Sequence, residues 1–330
     1  MTLPLLFLLS SVSSSIDADS VPLTVEVLWR TTFIEGVAAG LVEPTGAAEI
    51  GSRLWIADAP TGRILSIRSD GTLDALVAHR GDGPGEVRAP YLMAATPSGG
   101  VAVFDIERNS FEEFDARGAF KARRYLDTRL LFPKGMVALN DTVFALTGGV
   151  IDECCGLHFF RASGERMEQV IETGRVKDPL SRAYVGGGAV SLMNNGALLY
   201  SAASHHSVYV VEGNSPREVA SIPSSYPPTG DRFSTTGPDG VTRMDWKFPR
   251  STGVYGIAGG RILNIVTFRA KHRTLWEVFE ATGQLTARIE VEEAFTPLLM
   301  TTSGEIIGWI ADPVTDEPSI ARLRVTLGAD

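Results

Sequence analysis

Residues 80–120 read RGDGPGEVRAPYLMAATPSGGVAVFDIERNSFEEFDARGAF, and the rest of the chain varies this stretch. A Gly-rich turn leads to Pro90, then a short apolar run and a second turn at Ser98-Gly99-Gly100. A strand ending in Asp105 follows, then a strand around Phe111 to Phe114 and a turn at Arg117-Gly118. Four short extended segments separated by turn residues make one antiparallel blade. The same grammar recurs about six times at a period of roughly 40 to 60 residues, which predicts a β-propeller.

Working outward, blade one runs from Pro44 through RLWIAD (53–58) and GRILSIR (62–68) to Ala78, and blade two is the quoted stretch with an outer strand at Phe120 to Leu126. Blade three enters at Pro133, and blade four, the most divergent, turns at Asn194-Asn195-Gly196. Blade five enters at Pro249 and blade six at Pro297. Pro suits the start of an innermost strand because its missing N–H is harmless there. The last repeat is one strand short, while the alternating segment LTVEVLW (23–29) has no blade of its own. The expected fold is therefore all-β: six four-stranded antiparallel blades, the ring closed by the N-terminal strand, which removes two open sheet edges. Two connections, 173–188 and 223–252, are long enough to carry function.

The chain has 330 residues, 34 of them Gly and 18 Pro, which suits one domain built of many turns. Its net charge of −9 argues against nucleic acid as a partner. Residues 1–20 carry an apolar run, Leu3 to Leu9, followed by small residues, as in a secretory signal, although no Lys or Arg precedes the run. The run is too short to span a bilayer. The expected division is thus a leader-like segment over 1–20 and a propeller over 21–330, exported to the periplasm or beyond. The only two cysteines, Cys154 and Cys155, are adjacent: two free thiols or one vicinal disulfide, and no wider disulfide framework.

Gly81/Gly83, Pro90, Gly99/Gly100, Asp105, Arg108/Asn109 and Gly118 fall in the order of the NHL repeat, which blade two resembles; Trp55 to Asp58, Arg63-Ile64 and Gly71 match its later half in blade one. The segment GDGPGE (81–86) is also similar to the hallmark of a group of bacterial six-bladed propellers, mostly exported. The resemblance implies the fold and export. It carries no activity, because blades three to six lack the Asp and most of the Arg positions.

No Gly-Lys-Ser/Thr follows GDGPGE, so the loop reads as a blade connector and not as a phosphate cradle. Asp58 and Asp105 precede turns, where a carboxylate accepts backbone N–H groups. Glu49 is the one carboxylate on the predicted inner strands, too few for a hard cation, and His79, His158, His205, His206 and His272 are scattered. No metal or cofactor is expected, and no catalytic residue stands out. Connectors between blades share a face with the loops between second and third strands. On that face fall Arg88, Lys134, Arg250, Lys271 and Arg273, with Tyr226, Phe233 and Trp246 on the long connection. Of these, Arg88, Lys134, Arg250, Lys271, Arg273, Tyr226 and Trp246 are the predicted ligand site, a basic rim for a small anion. The expected function is a binding or interaction module holding an anionic ligand or a protein partner. The alternatives are a lactonase-like or other propeller hydrolase and a pure protein-interaction scaffold.

Overall fold

The computed structural model describes residues 21–31, 41–150, 155–172, 187–203, 205–212, 217–225, 234–236, 238, 240, 242–244, 249–268, 271–312 and 317–328. The leader-like segment, Cys154, Tyr226, Phe233, Trp246, most of the first long connection and half of the second lie outside those residues.

Six four-stranded antiparallel sheets form the ring. Blade one holds β2 (Pro44–Ile50), β3 (Arg53–Asp58), β4 (Arg63–Arg68) and β5 (Leu73–Ala78). Blade two holds β6 (Pro90–Ala95), β7 (Val101–Asp105), β8 (Ser110–Phe114) and β9 (Phe120–Tyr125). Blade three is β10 (Met136–Asn140) to β13 (Arg166–Glu172) through β11 (Val143–Thr147) and β12 (Cys155–Arg161). Blade four is β14 (Ala189–Leu192), β15 (Leu198–Ser201), β16 (Val208–Glu212) and β17 (Arg217–Ile222). The second long connection carries a small hairpin of its own, β18 (Ser234–Thr236) with β19 (Thr242–Met244). Blade five is β20 (Arg250–Gly256), β21 (Ile262–Phe268), β22 (Arg273–Phe279) and β23 (Leu285–Val291).

Blade six is β24 (Phe295–Met300), β25 (Ile306–Ala311), β26 (Pro318–Leu327) and, outermost, β1 (Leu23–Thr31). The expected closure is present: β1 and β26 pair antiparallel from Leu23 opposite Leu327 to Thr31 opposite Ile320. Leu23 and Val25 face the core, and the strand ends are tied by the Gly328 N–H donating to the Pro22 carbonyl at 2.7 Å. The chain thus returns to the same sheet from which it set out, and no blade is left with an unpaired inner seam.

Hydrophobic packing lies between blades. Trp55, Ala57 and Ile64 of blade one meet Met93, Val103 and Phe114 of blade two, with Trp55 edge-on to Phe114. Leu92, Phe104 and Phe111 of blade two meet Phe144 and Phe160 of blade three in the next seam, and the pattern continues to Ile56 and Leu65 against Ile307 and Trp309, where blade six returns to blade one. The second strand of a blade is buried on both faces, which is why β7 reads VAVFD without polar alternation. Among the described residues the one helix is a single 3-10 turn, Ala258–Gly260, and no helix is long and apolar enough to cross a membrane.

Candidate functional site at the channel mouth

The way each inner strand begins shapes the centre of the ring. Register slips between Pro44 and Gly46, Pro90 and Leu92, Ser251 and Gly253, and Pro297 and Leu299, so one residue in each of these blades bulges out of the ladder. The bulged residues are Thr45, Tyr91, Thr252 and Leu298. Lys134 follows Pro133 at the same place in blade three, and Gly187 holds it in blade four. All six line one cavity of about 610 Å³ at the mouth of the channel. A smaller void of about 50 Å³, bordered by Met93, Met136, Ala189 and Val254, adjoins it and shares Thr45, Lys134 and Leu298 with its lining.

The approach to the bulge is held by the residue that ends the second strand. The buried Asp58 carboxylate accepts the Glu43 N–H at 3.0 Å, the Val42 N–H at 3.3 Å and the Thr61 hydroxyl at 2.7 Å. Asp105 accepts the N–H groups of Arg88 at 2.6 Å, Arg108 at 3.1 Å and Ala89 at 3.3 Å. These are the backbone acceptors expected from their positions. In blade three Thr147 stands where Asp would be and does the same work with a hydroxyl. Its Oγ1 accepts from Gly135 N–H at 2.8 Å and Lys134 N–H at 3.3 Å, and donates to the Gly188 carbonyl at 2.6 Å.

Of the predicted basic rim, Lys134 and Arg250 line the cavity, whereas Arg88, Lys271 and Arg273 do not. Arg88 is turned into an ion-pair network: its Nε donates to Asp82 at 2.7 Å and its Nη1 to Glu107 at 3.3 Å. The Arg88 and Arg108 hydrogen bonds hold the Asp82 carboxyl down at about 2. Arg273 pairs with Glu290 at 3.0 Å, and Lys271 is exposed. Carboxylates of its own connector and blade thus hold Arg88 away from the mouth.

The GDGPGE loop is a clamped connector. Arg108 donates to the carbonyls of Glu86 and Gly81, and Arg123 to those of Gly83, Glu86 and Asp82. Arg123 is anchored in turn on the buried Glu112 at 2.7 Å. Carbonyls face the arginines, and the Gly83 N–H is taken by Glu86 at 2.6 Å, so the loop presents no ring of amides to a phosphate.

Tyr91 is the mouth residue that the strand pattern did not single out. Lys134 Nζ donates to its hydroxyl at 2.9 Å and stands 5.4 Å from the centre of its ring. Thr252 and Thr267 share a hydrogen bond at 2.7 Å on the blade-five side, and Pro297, Leu298 and Trp309 form an apolar wall on blade six. Among the described lining residues Glu43 is the one carboxylate. Glu49 sits far from it, accepting the Thr302 N–H at 2.7 Å.

Behind the blade-five wall lies a buried polar seam. His206, in a left-handed backbone conformation (φ 59°), brings Nδ1 to 3.2 Å from Ser251 Oγ, and Ser251 lines the cavity. Burial, and secondarily the neighbouring His205, push the imidazole down to about 4, so it is neutral at physiological pH. Asn264 joins the seam to Glu277, which accepts from Asn264 at 3.1 Å, Ser224 Oγ at 2.6 Å and Ser225 N–H at 2.8 Å. Among the described residues no group of three or more His, Cys, Asp or Glu is placed to hold a metal ion.

No family model matches the chain, and no curated protein matches it. Solved propellers match it end to end. A Bacteroides vulgatus member of the DUF4221 family has a TM-score of 0.64 at 10% identity, covering 94% of this chain and 100% of that one. A Bacteroides fragilis protein described as exported has a TM-score of 0.62 at 12% identity, covering 95% and 98%. A gluconolactonase from Xanthomonas campestris has a TM-score of 0.56 at 13% identity, covering 94% and 92%. Identities this low establish the shared fold alone.

Proposed function

We propose that this is an exported, NHL-like propeller whose channel mouth binds a small anion, with residues 1–20 as its leader and the ring from 21 onward as the binding domain. The observation that carries the reading is the Lys134–Tyr91 contact on the same cavity rim as Arg250. A cation and a phenol on neighbouring blades give an anion two donors, and a recess with low-dielectric walls strengthens their field. Tyr226 and Trp246, on the long connection that leads into β20, are proposed to cover the ligand. Arg88, Lys271 and Arg273 are left the lesser part of adding positive potential around the rim. The structural neighbour described as exported supports the reading of the start as a leader.

A scaffold function would need a continuous apolar face. Among the described residues the exposed large hydrophobics are Val42, just before β2, and Leu76, Tyr125, Met167, Leu192 and Leu285, one on each of five blades. The test is thermal unfolding of the protein with acetate, benzoate, phosphate, calcium and zinc. A ligand that binds only the native state raises the midpoint by mass action. The expected result is a rise with an anion that Lys134→Met removes. No rise with any anion, or a chelator-sensitive rise with a cation alone, sinks the reading, and the second outcome puts the hydrolase in its place.

A further inference from the structure

We infer that the bound anion is one end of a zwitterion, an ω-amino acid whose carboxylate takes Lys134 and Tyr91 and whose ammonium group takes Glu43 on blade one. This deepens the anion-binding reading and rests on it.

The inner strands β2, β6 and β10 neighbour one another in that order, so blades one and three flank blade two. Glu43 lies just before β2 and Lys134 just before β10, and in ring order Tyr91 comes between them. All three line the cavity. Both charged residues are fixed at the main chain: the Glu43 N–H donates to Asp58 at 3.0 Å and the Lys134 N–H to Thr147 at 3.3 Å. The Thr45 hydroxyl donates to the Pro90 carbonyl at 3.1 Å and ties the start of β2 to that of β6.

The two charges share a recess and do not pair. Lys134 Nζ turns to the Tyr91 hydroxyl, and among the described residues neither Lys134 nor Glu43 has an ion-pair partner. Because the lysine donates to the phenol oxygen, the phenol proton is left for another acceptor. A carboxylate accepts from both groups at once. Glu43, which can only accept when ionised, is matched by an ammonium group. Arg250 makes an interaction of its own, and this arrangement does not call on it. Glu43 and Lys134 belong to blades that are not neighbours, so the ligand must reach past blade two. Methylenes between its ends supply that reach, and a mouth of about 610 Å³ has room for them.

The test is calorimetric titration of the full chain with three pairs: acetate and glycine, butanoate and 4-aminobutanoate, hexanoate and 6-aminohexanoate. Butylamine is the control. At least one of the two longer amino acids should bind tighter than its parent acid, by up to about fivefold for a partly exposed ion pair. Glu43→Gln should erase that advantage without weakening the parent acids, and Lys134→Met should weaken both series alike. Parent acids that bind as tightly as their amino partners at every length, or an advantage confined to glycine, overturn the ω-amino acid and leave the anion site standing. An advantage that survives Glu43→Gln overturns the assignment of the ammonium group. Silence from every carboxylate, or butylamine binding as tightly as 4-aminobutanoate, overturns both readings.

Discussion

Lys134 of blade three and Tyr91 of blade two meet across the seam between their blades, Nζ to hydroxyl at 2.9 Å, Tyr91 at the bulge of β6 and Lys134 just before β10 begins. Neither residue is held there by a regular ladder: the bulge frees the Tyr91 side chain and aims it at the axis, and Lys134 precedes its strand. Tyr91→Phe keeps the ring and removes one donor from the mouth. It should weaken carboxylate binding about fivefold, the worth of one hydrogen bond of about 1 kcal/mol. Because the lost contact is exposed, the melting temperature should hold within about 2 °C. Titration calorimetry and a melt on the same sample check both halves.

Asp105 is a sharper stability test than any mouth residue. It is fully buried, and three backbone N–H groups converge on it. Asp105→Ala would orphan those donors together and should cost about 3–5 kcal/mol in urea unfolding. Thr147→Val, which removes the hydroxyl doing the same work in blade three, should cost about 1–3 kcal/mol. Equal losses would mean that the charge of Asp105 adds nothing to its geometry.

The His206 imidazole gives stability a pH signature. Its folded value of about 4 lies below the unfolded value of about 6.5, so the unfolded chain takes up a proton first as pH falls. Stability should therefore decline from pH about 6.5 to about 4, by up to about 3 kcal/mol from this group, and gain no further slope from it below pH 4. His206→Asn, whose side chain tolerates the left-handed backbone, should remove that part of the slope. Urea midpoints of the two proteins, measured across the window, make the comparison. Parallel curves would exclude the histidine as the source.

Ring closure can be tested at Val25, buried on β1 and paired with Val325. Val25→Asp places an unpaired carboxylate in the seam between blades five and six, where Leu263 and Trp276 pack. Unfolding should lose its single cooperative transition, and size exclusion should show association through the uncovered edge of β26.

Much of this molecule was open to sequence reading because its signals are local. Pro44 and Pro90 marked two inner strands, Asp58 and Asp105 marked the turns that they cap, and LTVEVLW lacked a blade just where blade six lacked a strand. What stayed hidden depends on neighbours far along the chain. Alternation assigns a face to each residue of a regular strand, but the bulge in β6 inserts one residue that alternation does not count, Tyr91, and Lys134 lies before β10, where no alternation applies. Thr147 does not resemble Asp, although a hydroxyl meets the same N–H groups. Arg88 and Arg250 look alike beside their prolines. Only the fold brings Asp82 and Glu107 to the first and opens a cavity in front of the second.

The pairing of β1 with β26 also bears on how the ring is made. Five blades can form from strands that follow one another, and each can pack on the blade before it as it appears. Blade six cannot, because its outermost strand is the first of the described strands and its partner is the last. That contact has nearly the largest sequence separation the chain allows, and it must overcome the corresponding loop entropy before it is rewarded. β1 has to wait, unpaired, through the synthesis of everything between. A five-bladed, open intermediate with a free strand is thus the natural late species in folding, and it is the state in which two copies could exchange β1.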